Sequence, residues 1–135
     1  MAKQPGIVRF LGDRLSGDAL ALGLAGASQI SMAFERYEAV GGSFLRSQAL
    51  EEAEVAAHEE VHSQVVRGMY AERQAAVIHW IAELVADPPV PLSRLERRDV
   101  GMALLAVTYA YERASLEANA PARAAGAGVS VRASA

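Results

Sequence analysis

Cysteine is absent from this chain, and aromatic residues make up only 6% of its 135 residues. Without cysteine the protein can form no disulfide, no thiolate nucleophile and no zinc or iron–sulfur site held by sulfur. Lysine is nearly absent as well, because Lys3 is the only lysine among 13 basic residues. The net charge is −3 and the isoelectric point is near 5.6. This charge argues against general nucleic-acid binding, which needs a basic surface.

Long hydrophobic runs are also missing. The longest uncharged stretch covers residues 19–34, and it contains glycine, serine and glutamine among its apolar residues. A membrane-spanning helix needs about 20 strongly apolar residues, so we expect no stable membrane span. The first nine residues lack the form of a signal peptide. We therefore expect a cytoplasmic protein.

Alanine is the most abundant residue, with 28 copies, and it is the best helix former. Glycine and proline divide the chain into helical segments, and Ser93 and Glu96 have the spacing of a capping box. Gly41-Gly42 ends the second segment and Pro121 ends the last. The predicted helices cover residues 5–15, 17–40, 43–86 and 93–118.

No segment has a convincing strand pattern, so we predict an all-α fold. The helices form a bundle or an extended hairpin around the segment 43–86, which is either one long helix or a pair bent at Gly68. Residues 1–118 make a single helical domain. The Ala- and Gly-rich residues 119–135 form a flexible tail, disordered alone and ordered only against a partner.

The last predicted helix carries no charge from Val100 to Tyr111 and has apolar residues on two sides. A helix with two apolar sides is buried on both, either at the centre of a bundle or against another subunit. We favour the second alternative. The helix at 17–40 has small residues four apart, which lets helices approach closely, within the chain or between subunits. The predicted interface residues are Val100, Leu104, Leu105, Val107, Tyr109, Tyr111, Ala19, Gly23 and Ala27.

One motif carries recognisable chemistry, because residues 58–62 match the pattern H-E-x-x-H. In a helix its two histidines lie one turn apart and can bind the same Zn²⁺, with the glutamate as general base. These five residues resemble the zincin metallopeptidases. The resemblance implies His58 and His62 as zinc ligands and Glu59 as the base. Glu83 and His79 are the candidates for a third ligand.

The same motif permits two other interpretations. Glu59-x-x-His62 is the E-x-x-H of ferritin-like carboxylate bundles, where neighbouring helices supply further glutamates. Glu35 or Glu38 is the candidate for such a glutamate in this chain. A two-metal iron site needs two E-x-x-H motifs, so two copies of the chain would have to form a dimer. In the interpretation that we favour, no metal is bound. The histidines are then partly buried and are hydrogen-bonded or paired with Glu54 and Glu59.

The sequence has no nucleophile elbow and no phosphate-binding loop. We favour a non-enzymatic structural or assembly protein that acts by helix-mediated self-association, without a cofactor, as a homo-oligomer or with other structural proteins. Over its whole length the Ala-rich helical sequence resembles small virion proteins of tailed phages, such as connector-ring or internal ejection components. That resemblance implies a place in a virion. The alternative is a helical metalloprotein with zinc or iron at His58, Glu59 and His62.

Overall fold

The computed structural model describes the backbone of residues 4–37, 45–62 and 75–134, and the side chains of residues 4–35, 45–59 and 75–115. Within these ranges the chain forms helices and no strand, so the predicted all-α fold is confirmed. The helices are α1 (Pro5–Arg14), α2 (Gly17–Tyr37), α3 (Ser47–His62), α4 (Ala75–Ala86) and α5 (Arg94–Ser134).

Local signals in the sequence start these helices. Pro5 lies in the first turn of α1. A backbone N–H at that position would have no partner within the helix, so proline removes no hydrogen bond there. Gly17 has φ 56°, a backbone conformation that glycine adopts readily, and it follows a connection of only two residues. At the start of α5, the N–H of Glu96 donates to Ser93 Oγ at 3.1 Å and the N–H of Ser93 donates to Glu96 Oε1 at 2.9 Å. This confirms the predicted capping box, and its hydrogen bonds lower the pKa of Glu96.

Helix α5 lies at the centre of the bundle, where it contacts all four other helices and α3 most extensively. From Ala103 to Glu112 every side chain is buried except Leu105, which is half-buried. The two apolar sides of this helix are therefore covered by the chain itself. The structure therefore contains the first alternative drawn from the sequence, a helix at the centre of a bundle, and not the favoured one, a helix covered by another subunit.

This burial corrects the predicted interface. Val100, Leu104 and Val107 are 0% exposed, so they leave no surface for a second subunit to cover. The small residues of α2 also pack within the chain, because a Cβ at Gly23 would lie 2.6 Å from a methyl carbon of Leu15. The other predicted interface residues buried in this way are Tyr109, Tyr111, Ala19 and Ala27.

The contact between α2 and α5 combines packing with a buried hydrogen bond. The hydroxyls of Ser31 and Tyr111 lie 2.7 Å apart, and the rings of Phe34 and Tyr111 stack with their centroids 5.1 Å apart. Burial raises the pKa of Tyr111. A Cβ at Gly26 would lie 2.9 Å from Leu104 Cδ1, so the absence of a side chain there lets the two helices approach.

Helix α5 does not end where the sequence predicted. We expected its end near residue 118, before Pro121, but its backbone stays helical to Ser134, so that prediction was wrong. Proline removes one helical hydrogen bond but its φ is compatible with a helix, and the surrounding alanines favour the helical conformation. The predicted breaks at Gly41-Gly42 and Gly68, and with them the continuity of the segment 43–86, lie outside the described residues.

None of the described helices combines the length and the apolar character that crossing a membrane requires.

Candidate functional site

The H-E-x-x-H motif lies at the end of α3. His58 and Glu59 are both exposed, and His62 is the last residue of the helix, with a side chain outside the described residues. The partial burial predicted for His58 is therefore wrong. Among the side chains that the structure describes, no three histidine or carboxylate groups come together as metal ligands. The two motif residues whose side chains are described, His58 and Glu59, are thus exposed to solvent on one helix.

The candidates for a further metal ligand lie on two other helices. On α4, His79 Nε2 lies 3.0 Å from Glu83 Oε1, and both side chains are well exposed. Residues four apart on a helix are neighbours, so this pair follows from the helix alone. Glu35 is exposed on α2, and Glu38 lies outside the described residues.

Glu54, one turn before His58, pairs with Arg14 of α1 and not with the histidine as predicted. Arg14 Nη2 donates to Glu54 Oε1 at 2.8 Å, and Arg14 Nε donates to Glu54 Oε2. The guanidinium also lies 3.8 Å from the centre of the Phe10 ring and donates to the Phe10 carbonyl oxygen at 3.2 Å. The hydrogen bonds to Glu54 raise the pKa of Arg14. This bidentate pair joins α1 to α3 across 40 positions of sequence, and no local pattern indicates it.

The Arg14–Glu54 pair forms one wall of a polar groove of about 380 Å³ between α1, α3 and α5. His58 of α3 and the charged residues Arg98 and Asp99 of α5 also line it. The lining carries two arginines and two carboxylates, so it has no excess of either charge to attract an ion. Among the described residues that line it, none has a hydroxyl group that could act as a nucleophile. The remaining lining residues are Leu95, Met102 and Ala103.

A second groove, of about 350 Å³, lies between α2 and α4. None of the described residues that line it is charged, and their polar side-chain groups are the amide of Gln29 and the indole N–H of Trp80. The indole of Trp80 lines the α4 side, half-buried. Met32, which follows Gln29 by three positions on α2, is 59% exposed. The lining residues are Gln29, Ile30, Ala33, Ala76, Val77 and Trp80.

Helix α4 explains why this groove is apolar. It carries few polar residues, yet Ile81 is its only buried residue. A set of large apolar side chains on α4 packs against the core while keeping part of its area exposed. These residues are Val77, Ile78, Trp80, Leu84 and Val85.

Comparisons with protein families, curated proteins and solved structures found no match.

Sequence reasoning missed both Met32 and the groove beside it. The signal that pointed to them was the lack of charge over residues 19–34, which we interpreted only as a question of membrane insertion and helix packing. Because nearly every position in that stretch is apolar or small, its pattern does not separate the outward face from the inward one. The structure does so by burying Ile30 and Phe34 and exposing Met32.

Proposed function

We propose that this chain is a non-enzymatic helical assembly protein, which acts by associating with copies of itself or with other structural proteins. The observation that supports this proposal best is the uncharged groove between α2 and α4, next to the exposed side chain of Met32. A contiguous apolar patch that is left uncovered in a single chain is typical of a surface that contacts another molecule.

The rest of the fold is consistent with a scaffold. The central helix α5 is buried from Ala103 to Glu112 except at the half-buried Leu105. The Arg14–Glu54 pair and the Ser31–Tyr111 hydrogen bond join separate helices at defined positions. The polar groove beside His58 combines balanced charges with no nucleophilic hydroxyl, which gives no support to a catalytic role there.

The Ala-rich helical character of the whole chain, which resembles that of small virion proteins of tailed phages, extends the proposal. On that basis we place the protein in a virion, or in the cytoplasm during assembly, with itself and other virion proteins as partners.

Native mass spectrometry of the untagged protein, purified without chelator, tests the proposal because it reports subunit number and bound metal together. We expect a metal-free oligomer whose population grows from low to high micromolar concentration. A protein that stays monomeric across that range, and that binds no partner from its own assembly, would contradict the proposal.

A helical metalloprotein is the second candidate. It is supported by the position of His58 and His62 within one helix, since α3 extends to His62 and residues four apart lie on one face. Zinc or iron would be held by these two residues with Glu59, in a zincin-like peptidase or a ferritin-like dimer.

Replacing both histidines separates the two candidates. We expect the His58→Gln plus His62→Gln variant to keep the circular dichroism spectrum and the oligomer mass of the unmodified chain. If the unmodified chain binds one zinc per chain, or iron shared between two chains, and the variant binds none, the metalloprotein is favoured instead.

A further inference from the structure

We propose that two copies of this chain pack through one face formed by α2 and α4, with Met32 of each copy entering the groove of the other. This inference rests on the proposed self-association and specifies its surface. We call the surface the α2–α4 face. It consists of Ala25, Gln29, Met32, Ala33, Val77 and Trp80.

A protruding side chain and a groove lie side by side on this face. Met32 is one of the most exposed large apolar residues, at 59%. Gln29 and Ala33, which line the groove, are within one helical turn of Met32 on α2. A two-fold axis makes each contact twice, since residue i meets residue j and j meets i. A flexible methionine side chain can adapt to an irregular groove.

The described residues that form this face are uncharged. Residues 19–34 carry no charged side chain, and neither do the described residues that line the groove. On the exposed side of α4, His79 and Glu83 pair with each other at 3.0 Å. A two-fold contact places a face against its own copy, so charges of one sign would repel each other. Asp18 and Glu35 lie beyond the two ends of this stretch. Glu35 is exposed one turn beyond Met32, at the edge of the face.

The polar group in the middle of the face also suits a contact between two copies. Gln29 is exposed, and its amide both donates and accepts hydrogen bonds. It can therefore pair with the same amide of a second copy, which a charged side chain could not do. One turn earlier, Ala25 is exposed with only a methyl group, so no long side chain holds the two α2 helices apart.

These features favour a second copy over other occupants. A groove of about 350 Å³ is at the small end of ligand pockets. Its lining has no charge with which to select an acidic or basic peptide. The same face instead carries the apolar side chain of Met32, which can fill the groove of a second copy.

Light scattering after size exclusion tests the surface with a matched pair of variants. Met32→Glu places a charge in the face. Val55→Glu is the control, because Val55 is equally exposed, at 58%, but lies on α3 outside the face. We expect Met32→Glu to weaken the dimer at least about tenfold, since an interface tolerates an unpaired buried charge poorly, and Val55→Glu to leave it unchanged. Circular dichroism checks that both variants fold.

The outcomes separate this inference from the proposed function. If the unmodified chain is monomeric throughout, the α2–α4 contact between two copies is overturned, and the proposed function then depends on association with other structural proteins. If it is oligomeric and Met32→Glu has the same mass at each concentration, self-association stands and the α2–α4 face is wrong. Equal dissociation of both variants would also overturn the face, because the effect would then be independent of position.

The absence of cysteine permits a second test. In the Ala25→Cys variant the only thiol in each chain lies near the proposed two-fold axis, so any disulfide must join two chains. We expect mild oxidation to give a covalent dimer on non-reducing gels at concentrations where Val55→Cys stays monomeric. Equal cross-linking of the two variants, or none with Ala25→Cys, would contradict the proposed contact.

Discussion

Replacing Gly6 with alanine tests how closely α1 packs against the residues that precede α3. A Cβ at position 6 would lie within the van der Waals distance of the Leu45 carbonyl oxygen and 3.3 Å from the Leu45 carbonyl carbon. Leu45 is itself held, because its N–H donates to Gln4 Oε1 at 3.0 Å and its side chain is buried. The atoms in the way are backbone, so a rotamer change cannot relieve the overlap.

The magnitude follows from two opposing effects. Alanine is favoured over glycine inside a helix by about 1 kcal/mol. Forcing an extra carbon into a closely packed site costs about 1–3 kcal/mol, and occasionally more. Because helix and loop must both shift, we take the upper value, about 3 kcal/mol, and expect Gly6→Ala to lower the free energy of unfolding by about 2 kcal/mol.

Gly12 provides the control in the same helix, since a Cβ there would meet nothing within 4 Å. We expect Gly12→Ala to raise the free energy of unfolding by about 0.5–1 kcal/mol. Urea unfolding followed by circular dichroism, at one protein concentration for all variants, measures the difference. If Gly6→Ala is as stable as Gly12→Ala, the close contact between α1 and Leu45 does not exist and the reasoning is refuted.

Three further predictions concern the contacts between helices. Tyr111→Phe removes the hydrogen bond to Ser31 but keeps the stacked ring, so we expect a loss of about 1 kcal/mol, with most of it recovered as coupling in a double-mutant cycle with Ser31→Ala. Burial raises the pKa of Tyr111 above its ordinary value of 10.0. The Tyr111 hydroxyl therefore makes its full contribution to the free energy of unfolding below that pH, and this contribution is lost as pH rises through the folded-state pKa. Urea midpoints should fall more steeply in alkali for the unmodified chain than for Tyr111→Phe, and equal slopes would contradict this. For the partly exposed Arg14–Glu54 pair, a cycle of Arg14→Met and Glu54→Gln should give a coupling of about 1 kcal/mol, and a coupling near zero would show that the pair does not hold α1 to α3.

The starts of α1, α2 and α5 could be predicted because they depend on neighbouring residues, whereas α3 starts at Ser47 and not at residue 43 as predicted. The capping box of Ser93 and Glu96 closes within four residues, and Pro5 and Gly17 act through their own backbone preferences. The same local reasoning was wrong at Pro121, where a proline was taken as a stop although the alanines around it favour a continued helix.

The candidate site was predicted less completely. The spacing of His58 and His62 placed both correctly on one helix, since helical periodicity needs no tertiary information. It could not predict that His58 is exposed, or that Glu54 binds Arg14 instead. Those outcomes depend on where α1 crosses α3, and the residues involved are 40 positions apart.

By itself the sequence determined an all-α chain without cysteine, because alanine content, helix caps and residue chemistry act locally or through composition. It also determined that the helix around Val107 is buried on two sides. Only the tertiary structure decided what covers those sides, namely the other helices of the same chain. It likewise decided that Ile30 points inward and Met32 outward within one uncharged stretch. The reason is that burial depends on the packing of helices distant in sequence, and an apolar pattern shows that a side chain needs a neighbour without identifying which one.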